Sequence, residues 1–83
     1  MGKQLRLSDL RKGQRALVSG IAADDFTASK LRAIGFTDGT EVECRGSGIF
    51  SDPSAYLVKG VLIALRKKNA DKIKCIRTES DAS

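Results

Sequence analysis

Ser54-Ala55-Tyr56-Leu57-Val58-Lys59-Gly60-Val61-Leu62-Ile63-Ala64-Leu65 is the stretch on which the reading of this chain turns. Two largely apolar runs flank Lys59-Gly60, a pair short enough to be the whole loop of a β-hairpin. With a two-residue loop, facing residues have numbers that sum to 119, which pairs Val58 with Val61, Tyr56 with Ile63 and Ser54 with Leu65 on the core side. The same register sets Leu57 against Leu62 and Ala55 against Ala64 on the opposite face, so the hairpin is apolar on both sides. A single-layer barrel buries only one of them. Either a helix at 27–34 covers the Leu57/Leu62 pair, or the pair is a protein-binding patch.

Upstream, Ser8-Asp9-Leu10-Arg11-Lys12-Gly13 reads as one helical turn with Ser8 as N-cap and Gly13 as its left-handed exit. Arg15-Ala16-Leu17-Val18-Ser19 alternates as a strand ended by Gly20, with Ala16 and Val18 on one face. Asp24-Asp25 precede a helix over Phe26–Ile34, its best apolar face being Thr27, Leu31 and Ile34. Gly35 then occupies the C′ position, and a Schellman motif brings Phe36 against Leu31. Thr37-Asp38-Gly39-Thr40 is a turn, and Glu41-Val42-Glu43-Cys44-Arg45 is a half-buried strand with Val42 and Cys44 inward.

Residues 46–53 form a loop, with Ile49 and Phe50 either tucked under the barrel or offered to a partner. Gly46 and Gly48 begin no phosphate-binding motif. After the hairpin, residues 66–71 make a helical turn, and Lys72-Ile73-Lys74-Cys75-Ile76 closes the chain as a strand with Ile73 and Cys75 inward. The tail 78–83 is polar and expected to fray. The expectation is one domain over 1–83, mainly β: a small SH3-like five-stranded barrel with one inserted α-helix at about 26–34 and short helical turns.

Composition narrows the chemistry. Among 83 residues there is no His or Trp, and two Cys, so His-based nucleophile pairs and His-ligated or all-cysteine zinc sites cannot be built. No apolar run is long enough for a signal peptide or membrane span. Cys44 and Cys75 read as small core residues of a cytosolic chain. Net charge is +5, unevenly spread: residues 1–15 carry +4 and 59–77 carry +6, whereas 16–58 carry −3 and the tail −2. If the first and last strands are neighbours, the basic ends form one face, which is either a solubilising surface or an attractor for acidic protein, anionic lipid or nucleic acid.

The order of these elements resembles the ferrous iron transport protein A (FeoA) family from about Leu7 to Ile76. The resemblance is carried by Leu7-Ser8-Asp9-Leu10 then Gly13, by Leu31-x-x-Ile34-Gly35-Phe36, by Asp38-Gly39 before Val42, by Asp52-Pro53, and by Val61-x-Ile63-Ala64-Leu65-Arg66 followed by Ala70 and Ile73. Ser51, where the family commonly has Gly, and Ser54, where an apolar residue is usual, depart from the pattern in the 46–54 loop. The resemblance implies an SH3-like barrel acting as a cytosolic partner of FeoB, the membrane ferrous iron transporter with a GTPase domain, and recruited by it to the inner face of the membrane. The family also occurs as the C-terminal domain of metal-dependent repressors; with no DNA-binding helix pair read ahead of Leu7, the stand-alone form is the expectation here.

On that reading the partner-binding candidates are Leu57, Leu62, Arg66, Lys67 and Lys68, against the alternatives of burial for the leucines and a solvated turn for the cations. Arg66 as an inserted arginine acting on the partner's GTP hydrolysis is a further option. A basic nucleic-acid-binding barrel is the alternative function, opposed by the paucity of aromatics: Phe36 and Tyr56 belong to packing, leaving no stacking platform. Iron binding would fall to Asp24, Asp25, Glu41, Glu43 or Asp52, a weak exposed set, and Asp24-Asp25 is better read as a helix cap. No catalytic residue, metal ligand or cofactor is expected.

Overall fold

In a computed structural model the described residues are 4–47 and 52–78. They form a six-stranded antiparallel sheet in the order β1-β6-β2-β3-β4-β5, with β1 Gln4–Arg6, β2 Arg15–Ile21, β3 Glu41–Ser47, β4 Ser54–Val58, β5 Val61–Leu65 and β6 Ile73–Arg77. The five expected strands are all present, and β1 is an addition: Leu5 pairs with Cys75, which makes the chain's first and last strands neighbours. Register slips at Val18/Gly20 in β2 and Cys44/Gly46 in β3 mark bulges, which sharpen local twist and help a short sheet curl around its core. Gly20 therefore sits inside β2 rather than ending it.

One cluster of buried side chains fills the interior, from Leu7 and Leu10 through Ala16, Val18, Leu31, Phe36, Val42, Cys44, Tyr56, Val58 and Leu65 to Ile73 and Cys75. Alternation explains it, since residues two apart on a strand share a face. α1, Asp25–Ile34, is inserted between β2 and β3, capped by the Asp24 carboxylate, which accepts from the Thr27 N–H at 3.5 Å. Its buried residues are Ala28 and Leu31; Ile34, expected on the apolar face, is 45% exposed. The exit of α1 follows the Schellman pattern: Phe36 N–H donates to the Leu31 carbonyl at 3.1 Å and Phe36 is fully buried. Gly35 adopts φ +131°, and a Cβ there would lie 3.1 Å from Val58 Cγ1, so both conformation and space call for glycine.

The turn before β2 is a 3₁₀ helix at Leu7–Asp9, and its cap differs from expectation. Asp9, rather than Ser8, serves the N-terminus by accepting from the Arg6 N–H at 3.0 Å. The Ser8 hydroxyl instead donates to Asp71 Oδ1, across the fold. α2, Lys67–Ala70, precedes β6; its Lys67 N–H donates to Asp52 Oδ1 at 2.9 Å, so a carboxylate distant in sequence fills the capping role. Ile49, Phe50 and the tail beyond Thr78 lie outside the described residues.

Candidate partner-binding face

The β4–β5 hairpin has the register that its sequence dictates, from Val58 with Val61 to Ser54 with Leu65. Lys59 and Gly60 have φ of 51° and 80°, the pair of positive values that defines a type I′ turn and matches the twist of the strands. Tyr56, Val58 and Leu65 are buried on the inner side. Val61, placed on that side by alternation, is nonetheless 58% exposed on the terminal strand, although Val58 opposite it is buried.

On the outer face the α1 cover does not materialise for Leu62, which is 62% exposed opposite a half-buried Leu57. Cross-strand pairing continues this row through Glu43 on β3 to Arg15 on β2. Two leucines thus adjoin a charged strip, beside a shallow depression of about 300 Å³ lined by Arg15, Glu43, Leu57 and Lys59.

The three expected cations follow at the end of β5 but are not equivalent. Arg66 is the exposed N-cap of α2, and Lys68 is exposed on the same turn. Lys67 is committed: its Nζ lies 3.3 Å from Asp71 Oδ2. The Ser8 hydroxyl, with help from Lys67 and Arg6, holds the Asp71 carboxyl below the usual carboxylate range. Lys67 therefore belongs to a polar cluster with Ser8, Arg6 and Asp71 more than to a free contact surface.

Two features escaped sequence reading. A cleft of about 600 Å³ has Arg11, Lys12, Arg45 and Lys67 in its walls with Ser8 and Tyr56, contributed by segments that only folding brings together. Phe26 is 72% exposed on α1, with Lys30 Nζ 5.3 Å from its ring centroid, a cation–π distance. The i, i+4 spacing of Phe26 and Lys30 was the available signal.

Cys44 and Cys75 are buried and unbridged; desolvation pushes the Cys75 thiol up to about 12, so it is protonated at neutral pH. Burial likewise raises the Tyr56 phenol. Among the described residues, no three His, Cys, Asp or Glu side chains gather into a metal-binding group, and no helix is long and apolar enough to cross a membrane. Asp24 serves α1, with the Thr27 hydroxyl the main cause of its lowered pKa. Phe36 and Tyr56 are buried, and exposed Phe26 stands beside Asp24 and Asp25, away in sequence from the basic ends.

A bent antiparallel sheet with an inserted helix and a packed interior defines a small SH3-like domain. The chain belongs to the FeoA domain family, whose model matches residues 5–77. It is similar to the FeoA-like protein from Clostridium acetobutylicum, at 26% identity and a TM-score of 0.86 over 96% of this chain and 93% of that one. It is also similar to Stenotrophomonas maltophilia FeoA, at 29% identity and a TM-score of 0.76 over 86% of this chain and 88% of that one. That protein, solved with zinc, is described as a prokaryotic SH3 domain protein possibly acting as a ferrous iron transport activating factor. A manganese-dependent transcriptional repressor shares the fold at 18% identity, TM-score 0.82, over 90% of this chain and 37% of its own length. No curated protein sequence matches the chain.

Proposed function

We propose that this chain is a non-enzymatic interaction module, one FeoA-like unit over residues 1–83, that supports ferrous iron uptake by binding the cytosolic part of a FeoB-type membrane transporter. The binding face is the outer side of the β4–β5 hairpin, with Leu57 and Leu62 as the apolar contact and Arg66 and Lys68 as flanking cations. Lys67 contributes through its hold on Asp71. Recruitment by the transporter would place the protein at the inner face of the cytoplasmic membrane.

The observation that carries this reading is the exposure of Leu62 opposite Leu57 in a strand pair without charge. A small domain gains nothing in stability from an apolar side chain left in water, whereas a partner that covers it gains about 25 cal/mol per Å² of apolar surface. Family membership supports a partner in ferrous iron transport, the process to which the S. maltophilia relative is tied by its description.

The test is capture of the transporter's soluble GTPase domain by immobilised protein. Leu57→Asp with Leu62→Asp should abolish capture while leaving the circular-dichroism spectrum and melting transition of a folded protein. Retained capture by the folded double variant would remove the hairpin from the interface. Tight, salt-steep binding to single-stranded RNA or DNA in place of capture would favour the nucleic-acid reading.

A further inference from the structure

Among the described residues β5 ends the sheet, and the strand itself lacks the sequence features that usually blunt an edge. Val61-Leu62-Ile63-Ala64-Leu65 has no charge, no proline and no bulge, and it pairs only with β4 among the described residues. A two-residue type I′ loop closes on a hydrogen-bonded pair, here Val58 and Val61. Counting outward from it, Val61, Ile63 and Leu65 direct their N–H and C=O groups at β4. Leu62 and Ala64 direct theirs away from the sheet. Two donors and two acceptors, about 7 Å apart along the strand, therefore form a template for one more antiparallel strand.

The ends of this template are basic. Lys59 stands at the turn, and Arg66 and Lys68 stand just past Leu65, so cations flank a five-residue strand that is roughly 14 Å long at the rise of an extended chain. Such a distribution disfavours a second copy of the chain. The fullest two-fold pairing puts Leu62 against Ala64 in both directions and Ile63 against its own copy, which brings the Lys59 turn of each copy towards the Arg66–Lys68 end of the other. Like charges gathered at both ends oppose that pairing.

We propose that β5 accepts an extended segment of a partner protein by strand addition, the segment being apolar in its middle and acidic at both ends. Its central side chains would lie beside Leu62 and Ala64 on one face and beside exposed Val61 and half-buried Ile63 on the other, and its carboxylates would meet Lys59 at one end and Arg66 and Lys68 at the other. This deepens the reading of the chain as a partner-binding module and rests on it. Main-chain pairing gives the affinity and the charged ends give register and choice of partner.

The probe is a blocked peptide of about nine residues, three valines alternating with two threonines between pairs of glutamates, a length suited to one strand. In the free protein the amides of Leu62 and Ala64 should exchange rapidly while those of Val61 and Ile63 are protected. The peptide should shift and protect Leu62 and Ala64 and leave Leu5 on β1 unaffected. A counterpart with lysines for glutamates should bind about tenfold more weakly at low salt, the order expected for a few exposed charge pairs. Lys59→Glu with Lys68→Glu, two exposed changes, should reverse that preference.

Protection of Leu62 and Ala64 in the dilute free protein would overturn the proposal, as would protection that grows with a doubling of mass in sedimentation, or peptide binding indifferent to the sign of its ends. Transporter capture separates the two readings. Capture that survives the charge reversal while the acidic peptide no longer binds would remove strand addition and keep the transporter partnership. Peptide binding as described with no capture would keep strand addition and remove the transporter.

Discussion

β1 and β5 both terminate the sheet, yet they are fastened by different means. β1 has three residues, and the 3₁₀ turn that follows it is held by polar groups: Arg6 lies 3.6 Å from Asp9 and 3.9 Å from Asp71, and the Ser8 hydroxyl reaches Asp71. β5 has five uncharged residues and is held by its turn and its ladder with β4. Short strands and charges are ways of blunting an edge against unwanted pairing. Among the described residues one edge is thus guarded and the other is left unpaired, an asymmetry that suits the strand addition proposed for β5.

The deepest way to break the contrast is through what the two edges share. Phe36 is fully buried in the cluster that also contains Leu7, next to β1, and Leu65, at the end of β5. Phe36→Ala should cost about 3–5 kcal/mol. In urea unfolding followed by amide signals, β1 and β5 should then be lost in a single shifted transition. Separate transitions would mean that the edges rest on separate cores.

The same substitution at each edge sharpens the contrast. Leu5 is partly buried against the core, so Leu5→Lys should cost about 2 kcal/mol for lost burial and a strained charge. Leu62→Lys exchanges an exposed outer-face side chain, and stability should change by no more than about 0.5 kcal/mol. Chemical denaturation of the two variants side by side checks this, and equal losses would show that β5's outer face is covered in the folded protein.

What could be read from sequence follows the same division. The hairpin register was legible because a two-residue loop leaves one pairing, and the exit of α1 because Gly35-Phe36 encodes it locally. β1 was not: Gln4-Leu5-Arg6 becomes a strand only by pairing with residues 74–76, contacts that no local pattern records. Ser8 has the chemistry of a cap, but its hydroxyl found Asp71, and Asp9 took the cap. Whether a helix covers the Leu57/Leu62 pair depends on tertiary packing that no local pattern records: α1 buries a narrow face of Ala28 and Leu31, and Leu62 stays exposed opposite a half-buried Leu57. The basic cleft was invisible for the reason that β1 was, its four cations coming from three distant segments.

The smallest expected effect is also the most selective, because acid should act on one edge and spare the other. Asp71 has a folded-state pKa below the ordinary value of about 3.9, chiefly through the Ser8 hydroxyl and then through Lys67 and Arg6. A carboxyl whose pKa is depressed by folding adds stability that is fully present above its unfolded value and is lost as pH falls through the folded one. Asp24, depressed mainly by the Thr27 hydroxyl, acts likewise at the start of α1. Between neutral pH and pH 5 both edges should therefore behave alike. Below about pH 4 the polar cluster loosens, and amide protection should fall first at Leu5 and at the N-terminus of α1. Val61 and Ile63, whose ladder with β4 contains no carboxylate, should keep theirs. Asp71→Asn should remove the acid response of β1 without altering that of α1, since Asp24 is untouched. Hydrogen exchange across this range checks both statements, and a hairpin that loosens together with β1 would show that the polar cluster supports the whole barrel rather than one edge.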